Sequence, residues 1–295
     1  MNNVTRVALI GLGEVGTILA TDLKKQDPSL DIIAFDKQTG SDILSERAHV
    51  AGIRLEATLQ DAVEGSQIIF SAVTAAESLN VARDVARHIS ANQTFLDLNS
   101  VSPNTKRSAM AAIEQAGGAY IDVAVMAPCP PARLKTPILL GGTHAYAVSE
   151  WLNSQGFRSQ VHSNVVGEAS AIKMCRSVMI KGLEALTAEC LAAARQYGVE
   201  QEVLASLHAS FPSLGWDGEF PHYLISRIAE HGKRRAEEMR EVVKTLEDVG
   251  VAGDMSRGTV LTQQGLVDAL TAEGIGYRDL EPFDWKQMVD LLHRR

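Results

Sequence analysis

The chain has 295 residues, with 28 Lys plus Arg against 36 Asp plus Glu, a formal net charge of −8. This acidic balance excludes a general nucleic-acid binder, which needs cationic surface to displace phosphate counterions. Hydrophobic residues at 45% and charged residues at 22% are ordinary globular values and exclude disordered and fibrous classes.

The first apolar run, Val7-Ala8-Leu9-Ile10, starts close to the N-terminus and runs straight into glycines, which leaves no room for a signal peptide. No stretch approaches the roughly 18 unbroken apolar residues of a membrane span. Cys129, Cys175 and Cys190 are odd in number and form no C-x-x-C pair, as suits a reducing compartment. The expectation is a soluble cytoplasmic protein with no membrane partner.

From Val4 to about Val161, short β-rich runs alternate with helical stretches, the pattern of a parallel sheet built from βαβ units. The runs are Val7–Ile10, Ile32–Phe35, Ile68–Ala72, Phe95–Leu98, Tyr120–Val125 and Ile138–Leu140. Val15–Lys25 and Leu79–Ile89 carry apolar residues at helical spacing. After Gly167 the alternation stops. Ala169 to Tyr197 has no proline and one glycine, and Ile172, Cys175, Val178, Met179, Leu183, Leu186 and Cys190 recur at three- and four-residue steps, which predicts one long helix. Further helices follow, punctuated by Phe211-Pro212-Ser213, Gly215–Gly218 and Gly250–Gly253, and the charged stretch His231–Leu246 reads as a solvated helix face. Domains 1–164 and 165–295 result.

Gly11-Leu12-Gly13-Glu14-Val15-Gly16 matches G-x-G-x-x-G between the first strand and its helix. Gly11 permits the tight turn, Gly13 lets backbone approach a pyrophosphate, and Gly16 lets helix and strand pack closely. The diphosphate would sit on N–H groups at the positive end of the helix. Asp36 ends the second strand, 36 − 16 = 20 residues after the last glycine, where a carboxylate accepts from the adenosine ribose hydroxyls and repels a 2′-phosphate. NAD is therefore expected, with NADP possible because Lys37 is adjacent. Val73, beyond the third of these runs, and Asn99, beyond the fourth, complete the candidate cofactor residues. The fold expected is α/β: a Rossmann-type doubly wound parallel sheet, then an all-α second domain joined by a long interdomain helix.

These residues resemble the β-hydroxyacid dehydrogenase superfamily, which includes 3-hydroxyisobutyrate and 6-phosphogluconate dehydrogenases. Asp97-Leu98-Asn99-Ser100-Val101-Ser102-Pro103 is similar to the family's strand end near the nicotinamide, Tyr120–Val125 to the strand before its substrate loop, and Pro137–Gly142 to the following strand and turn. Gly167-Glu168-Ala169-Ser170-Ala171-Ile172-Lys173 resembles the G-x-G-x-x-x-K entry into the interdomain helix, whose lysine is the catalytic acid/base. Two departures stand out. Met126-Ala127-Pro128 replaces the family's Ser-Gly-Gly, and Ser177 replaces its Asn four residues after the lysine, with Arg176 beside it as a substitute anion contact. The combination looks like the phosphogluconate-dehydrogenase-like NAD-binding branch.

The resemblance implies an NAD(P)-dependent dehydrogenase moving a hydride between nicotinamide and a small hydroxy acid or polyol acid, in a homodimer. Lys173 would be the acid/base, its apolar neighbours predicting a largely buried stretch, with Ser100, Arg176 and Ser177 around the reacting group. Asn99 and Ser100 can instead end or cap local structure, and Ser102-Pro103 reads as a helix cap. Lys181 reads as solvated, whereas His222, His231 and Arg235 either close the cleft from the second domain or are surface groups, the surface reading being favoured. Two alternatives stay open: an imine reductase-like enzyme, against which the retained Lys173 counts, and a dinucleotide-sensing protein without turnover. No metal motif, G-x-S-x-G or Walker loop occurs.

Overall fold

The structure, a computed structural model, describes residues 4–38 and 40–293. The chain separates into two compact units between Met174 and Cys175. The division falls ten residues beyond position 164 (174 − 164), so the first turns of the long helix, Lys173 included, belong to the first unit.

In the first unit, β1 (Arg6–Ile10), β2 (Asp31–Phe35), β3 (Arg54–Leu55), β4 (Ile68–Ser71), β5 (Thr94–Asp97), β6 (Ala119–Val125), β7 (Pro137–Gly141) and β8 (Arg158–Ser163) form one sheet in the order β3-β2-β1-β4-β5-β6-β7-β8. Between the strands lie α1 (Glu14–Gln26), α2 (Asp42–Ala51), α3 (Leu59–Val63), α4 (Ser78–Ala86), α5 (Pro103–Gln115), α6 (Cys129–Ala132) and α7 (Ala145–Ser154). Strand residues alternate between two cores. Val7, Leu9 and Phe70 pack on one face, and Ala8, Ile10, Ile69 and Phe95 on the other. A period of two with both faces buried makes the sheet doubly wound.

The sheet is not wholly parallel. β7 pairs antiparallel with β6, Asp122 opposite Gly141 and Val125 opposite Ile138, while β8 runs parallel to β7. The physical reason is the connection: β6 returns through the short turn α6 rather than through a crossover helix, and a short return reverses direction.

α8 (Glu168–Tyr197) runs for 30 residues as the sequence pattern expects, about 45 Å at 1.5 Å per residue. The second unit continues with α9 (Glu200–Ser210), α10 (Phe220–Glu247), α11 (Asp254–Ala272) and α12 (Trp285–Leu292) around a core of Leu191, Ile225, Leu270, Trp285 and Met288. α10 is solvated on one face only, since Gly232, Arg235, Ala236, Met239 and Val242 are buried. No helix among the described residues is long and apolar enough to cross a membrane.

Candidate active site

The glycine loop leaves β1 and enters α1 at the sheet edge where the parallel strands β1, β4 and β5 end. Gly11 has φ +95, and a Cβ there would stand 2.5 Å from the Ala72 carbonyl. A Cβ on Gly16 would collide with the Gly11 carbonyl, so both glycines exist for close backbone packing. Gly13 differs: nothing lies within 4 Å of its missing side chain, and no side chain caps α1 behind it. The open face and the uncapped first turn fit a dinucleotide diphosphate, which backbone N–H groups from Glu14 to Gly16 would receive. Glu14 itself points to solvent, and Val15 packs into the core beneath.

Asp36 stands beside this loop. Its Oδ2 accepts the Leu12 N–H at 3.0 Å and its Oδ1 the Gln38 N–H at 3.1 Å. Arg47, which sequence reading missed, donates to the Leu12 carbonyl at 3.0 Å from α2. Leu12 is thus gripped on both its backbone groups, and the carboxylate is aimed across the loop.

At the end of β5 lies Asn99, a candidate cofactor residue. Its Oδ1 accepts the Val73 N–H at 2.8 Å, while its Nδ2 donates to Ser71 at 2.9 Å and Ser78 at 3.3 Å. Both ends of the buried amide are engaged, so Asn99 braces the ends of β4 and β5, and the Val73 N–H is already taken. Ser100 is half-buried and accepts from Lys173 Nζ at 2.6 Å. Ser102 caps α5, accepting from Thr105 N, with Pro103 at the first helical position.

Lys173 lies in the second turn of α8 and is half-buried. Its neighbours are less buried than their apolar character suggests, for Ile172 and Cys175 are exposed and Met174 faces the core instead. Arg176 and Ser177 fall in the second unit. Arg176 is exposed, and Ser177 is buried with its hydroxyl 3.5 Å from Lys181 Nζ. Lys181 is not solvated: it is 5% exposed and pairs with Glu238 at 2.6 Å. Arg235 is likewise buried and paired with Glu184 at 3.1 Å, and His222 packs edge-on against Phe283. A charged residue on a helix looks solvated in sequence, and only the partner helix reveals which face is inside.

Close to Ser100 lie Asp97, Tyr120 and Asp122, from strands whose sequence resembles the family, and Lys106, which no motif marked; all four are buried. Burial first, then the charges of Asp97 and Asp122, push the Tyr120 hydroxyl well above its ordinary pKa, so it remains a donor, to Asp97 Oδ2 at 2.6 Å. The segment after β6 is held by backbone and surface contacts. Met126 donates its backbone N–H to Pro137, and Arg133, at φ 53, ties the following turn to Asp22 of α1 through contacts of 2.7 to 3.0 Å.

Comparison with known proteins identifies the family. Residues 6–153 match the family model of the NAD binding domain of 6-phosphogluconate dehydrogenase, and residues 194–266 match a domain of unknown function. A conserved hypothetical protein from Sinorhizobium meliloti 1021 superposes with a TM-score of 0.75 at 33% identity, covering 99% of this chain and 97% of that one. An NAD-dependent L-serine dehydrogenase of Pseudomonas aeruginosa is 26% identical over 68% of this chain and 68% of its own length. The mitochondrial 3-hydroxyisobutyrate dehydrogenase of Drosophila melanogaster is 23% identical over 72% of this chain and 65% of its own. With its glycine loop and matching NAD-binding domain, the chain belongs to the β-hydroxyacid dehydrogenase superfamily and is an NAD-dependent dehydrogenase acting on a CH–OH group.

Proposed function

We propose that the chain oxidises a small hydroxy acid or polyol acid, with Lys173 as the general acid/base. The observation that carries this reading is the 2.6 Å hydrogen bond from Lys173 Nζ to Ser100 Oγ, beyond the end of β5 on the sheet edge that also bears the glycine loop. Ligands of open α/β sheets bind outside these strand ends. Bound NAD supplies the hydride acceptor. As the substrate carbon becomes a carbonyl, its hydroxyl proton needs a base within hydrogen-bond reach, and the amine beside Ser100 is such a group in its neutral form. Ser100 holds that amine in place and offers its own hydroxyl to the reacting oxygen.

The substrates of the relatives, L-serine and 3-hydroxyisobutyrate, each carry a hydroxyl β to a carboxylate, which supports the acid class. Met126-Ala127-Pro128 lacks the hydroxyl and paired glycines of the family loop, so anion recognition here passes to another group, Arg176 being the candidate. A homodimer is the proposed assembly, supported by the exposed apolar residues Met179, Leu186 and Leu261 of the second unit. Sedimentation at the monomer mass would remove that part of the reading.

Turnover of Lys173→Met over a panel of hydroxy acids tests the catalytic role. Acid–base catalysis contributes about 10²–10⁴-fold, so kcat should fall by that order while NAD affinity persists. Loss of the lysine should also abolish the acid limb of the kcat profile. Lys25→Met, an exposed lysine on α1, is the control and should leave kcat unchanged. Near-normal turnover by Lys173→Met refutes the assignment.

A further inference from the structure

Asp97 and Asp122 are register partners in adjacent strands, and neither has exposed surface. Neighbouring carboxylates shut off from water repel each other unless cations or hydrogen-bond donors meet them. Lys106 on α5, also fully buried, meets both. Its Nζ lies 3.2 Å from Asp97 Oδ1 and 3.4 Å from Asp122 Oδ1, and donates to the Asp97 carbonyl at 2.6 Å. Two carboxylates against one ammonium leave one negative charge over. The N-terminus of α8 answers it: Asp122 Oδ2 accepts the N–H groups of Gly167 and Ser170 at 3.1 Å each, and Oδ1 accepts the Ser170 hydroxyl at 2.6 Å. A carboxylate at a helix N-terminus is favoured by the dipole and by the orphan N–H groups together.

These contacts form a closed ring through the candidate site. Ser100 lies three residues after Asp97, whose Oδ1 also accepts the Asn99 N–H at 2.9 Å. Lys173 lies three residues after Ser170, less than one helical turn. The Lys173–Ser100 hydrogen bond closes the circuit. Stability does not explain the three buried charges, because well-packed apolar side chains of similar volume generally serve a core as well or better. Geometry does explain them. One ammonium fixes the end of β5, which carries Ser100, against the start of α8, which carries Lys173.

We propose that Asp97, Lys106 and Asp122 are positioning residues that set the Lys173 amine against Ser100. Their bearing on turnover rests on the acid/base reading of Lys173, whereas the positioning itself does not. Misplacement by about 1 Å at a reacting centre costs of the order of 10²-fold in rate, so the ring has enough leverage to matter.

The test is lysine acetylation by acetic anhydride on the full chain with NAD present, followed peptide by peptide with exposed Lys25 as the internal reference. Asp122→Asn keeps the side chain's size and one acceptor oxygen but removes its charge, and Ser170→Ala removes only the 2.6 Å bond. Acetylation of Lys173 relative to Lys25 should rise about fivefold or more, the factor equivalent to losing a hydrogen bond of about 1 kcal/mol. NAD affinity should stay within about twofold because the glycine loop is untouched. An unchanged Lys173 rate in a variant that still binds NAD overturns the proposal. Should Asp122→Asn fail to fold, Ser170→Ala decides alone, and an unchanged rate there overturns it equally. A raised rate with kcat lowered about 10²-fold supports both readings. A raised rate with unaltered kcat leaves the positioning standing and removes Lys173 from catalysis.

Discussion

Each oxygen of Asp36 already accepts one backbone N–H, Oδ2 from Leu12 and Oδ1 from Gln38, and a carboxylate oxygen has a second lone pair to offer a ribose hydroxyl. The side chain thus shapes the loop, we propose that it also reads the cofactor, and two substitutions separate these duties. Asp36→Asn keeps an acceptor for Leu12 but loses the charge, so the preference for NAD over NADP should narrow by about 10–100-fold, the worth of hydrogen bonds to a charged group. Asp36→Ala also removes the loop's support and should weaken both dinucleotides, as calorimetric titration would read. A wild-type preference for NADP would remove Asp36 from ribose recognition. A second residue-scale prediction concerns pH. Burial, then Arg227, Arg234 and Arg235, push the His231 pKa down to about 4, outweighing Glu238 and the Glu230 carboxylate 3.2 Å from Nε2. The unfolded ring takes a proton near its ordinary value of 6.5 while the folded ring stays neutral. The contribution to stability is therefore present above pH 6.5 and lost as pH falls towards 4. Glu184, raised by burial, acts in the opposite sense, so the wild-type curve is a difference of the two. Urea midpoints of His231→Gln between pH 7 and 4.5 should fall less than those of wild type, and parallel curves would refute the assignment. Asp36 and the glycines were legible because their chemistry is local and their spacing fixed. Lys106 was not, because its partners sit at positions 97 and 122 and a lysine on a helix ordinarily reads as solvated.

Glycine inside a helix costs about 1 kcal/mol relative to alanine, so each such glycine needs a packing reason. Gly232 of α10 has one. A Cβ there would collide with the Gln263 carbonyl of α11 and stand 2.7 Å from Val267 Cγ2, so the two helices approach through this position. Gly182 of α8 has no comparable neighbour, its added Cβ meeting only Thr259 Oγ1 at 3.9 Å. The same substitution should therefore have opposite signs on two helices of one unit. Gly182→Ala should gain up to about 1 kcal/mol, and Gly232→Ala should lose about 1–3 kcal/mol because overpacking outweighs propensity. Denaturant midpoints check both, and a stabilised Gly232→Ala would show that the helices can part freely. Elements were legible from sequence in proportion to their apolar pattern. α8 and the central strands stand out because they bury a repeating stripe or both faces. β8 does not, since Arg158-Ser159-Gln160-Val161-His162-Ser163 is an edge strand with alternate residues exposed. β3, two residues long, is too short to show a period. The reversal at β7 leaves no periodic trace, because alternation along a strand says nothing of its direction.

At the scale of the whole molecule, the glycine loop, Asp36, Ser100 and Lys173 all lie within the first compact unit, residues 1–174. A ligand that binds the folded unit and not the unfolded chain stabilises it by mass action, by about 2.7 kcal/mol at a hundredfold excess over Kd. For a body of this size 1 kcal/mol corresponds to about 2–4 °C, so saturating NAD should raise the first unit's Tm by about 5–10 °C. The same concentration of NADP should raise it less, because the 2′-phosphate meets the Asp36 carboxylate. Gly13→Val is the decisive variant. Nothing within 4 Å opposes the first added carbon, so the apo protein should fold with a near wild-type Tm. The side chain would nevertheless occupy the face left open for the diphosphate, and the NAD-dependent shift should vanish. If the valine variant keeps the full shift, the diphosphate is held elsewhere. If it loses stability without any ligand, the open space at Gly13 belongs to the fold and not to the cofactor.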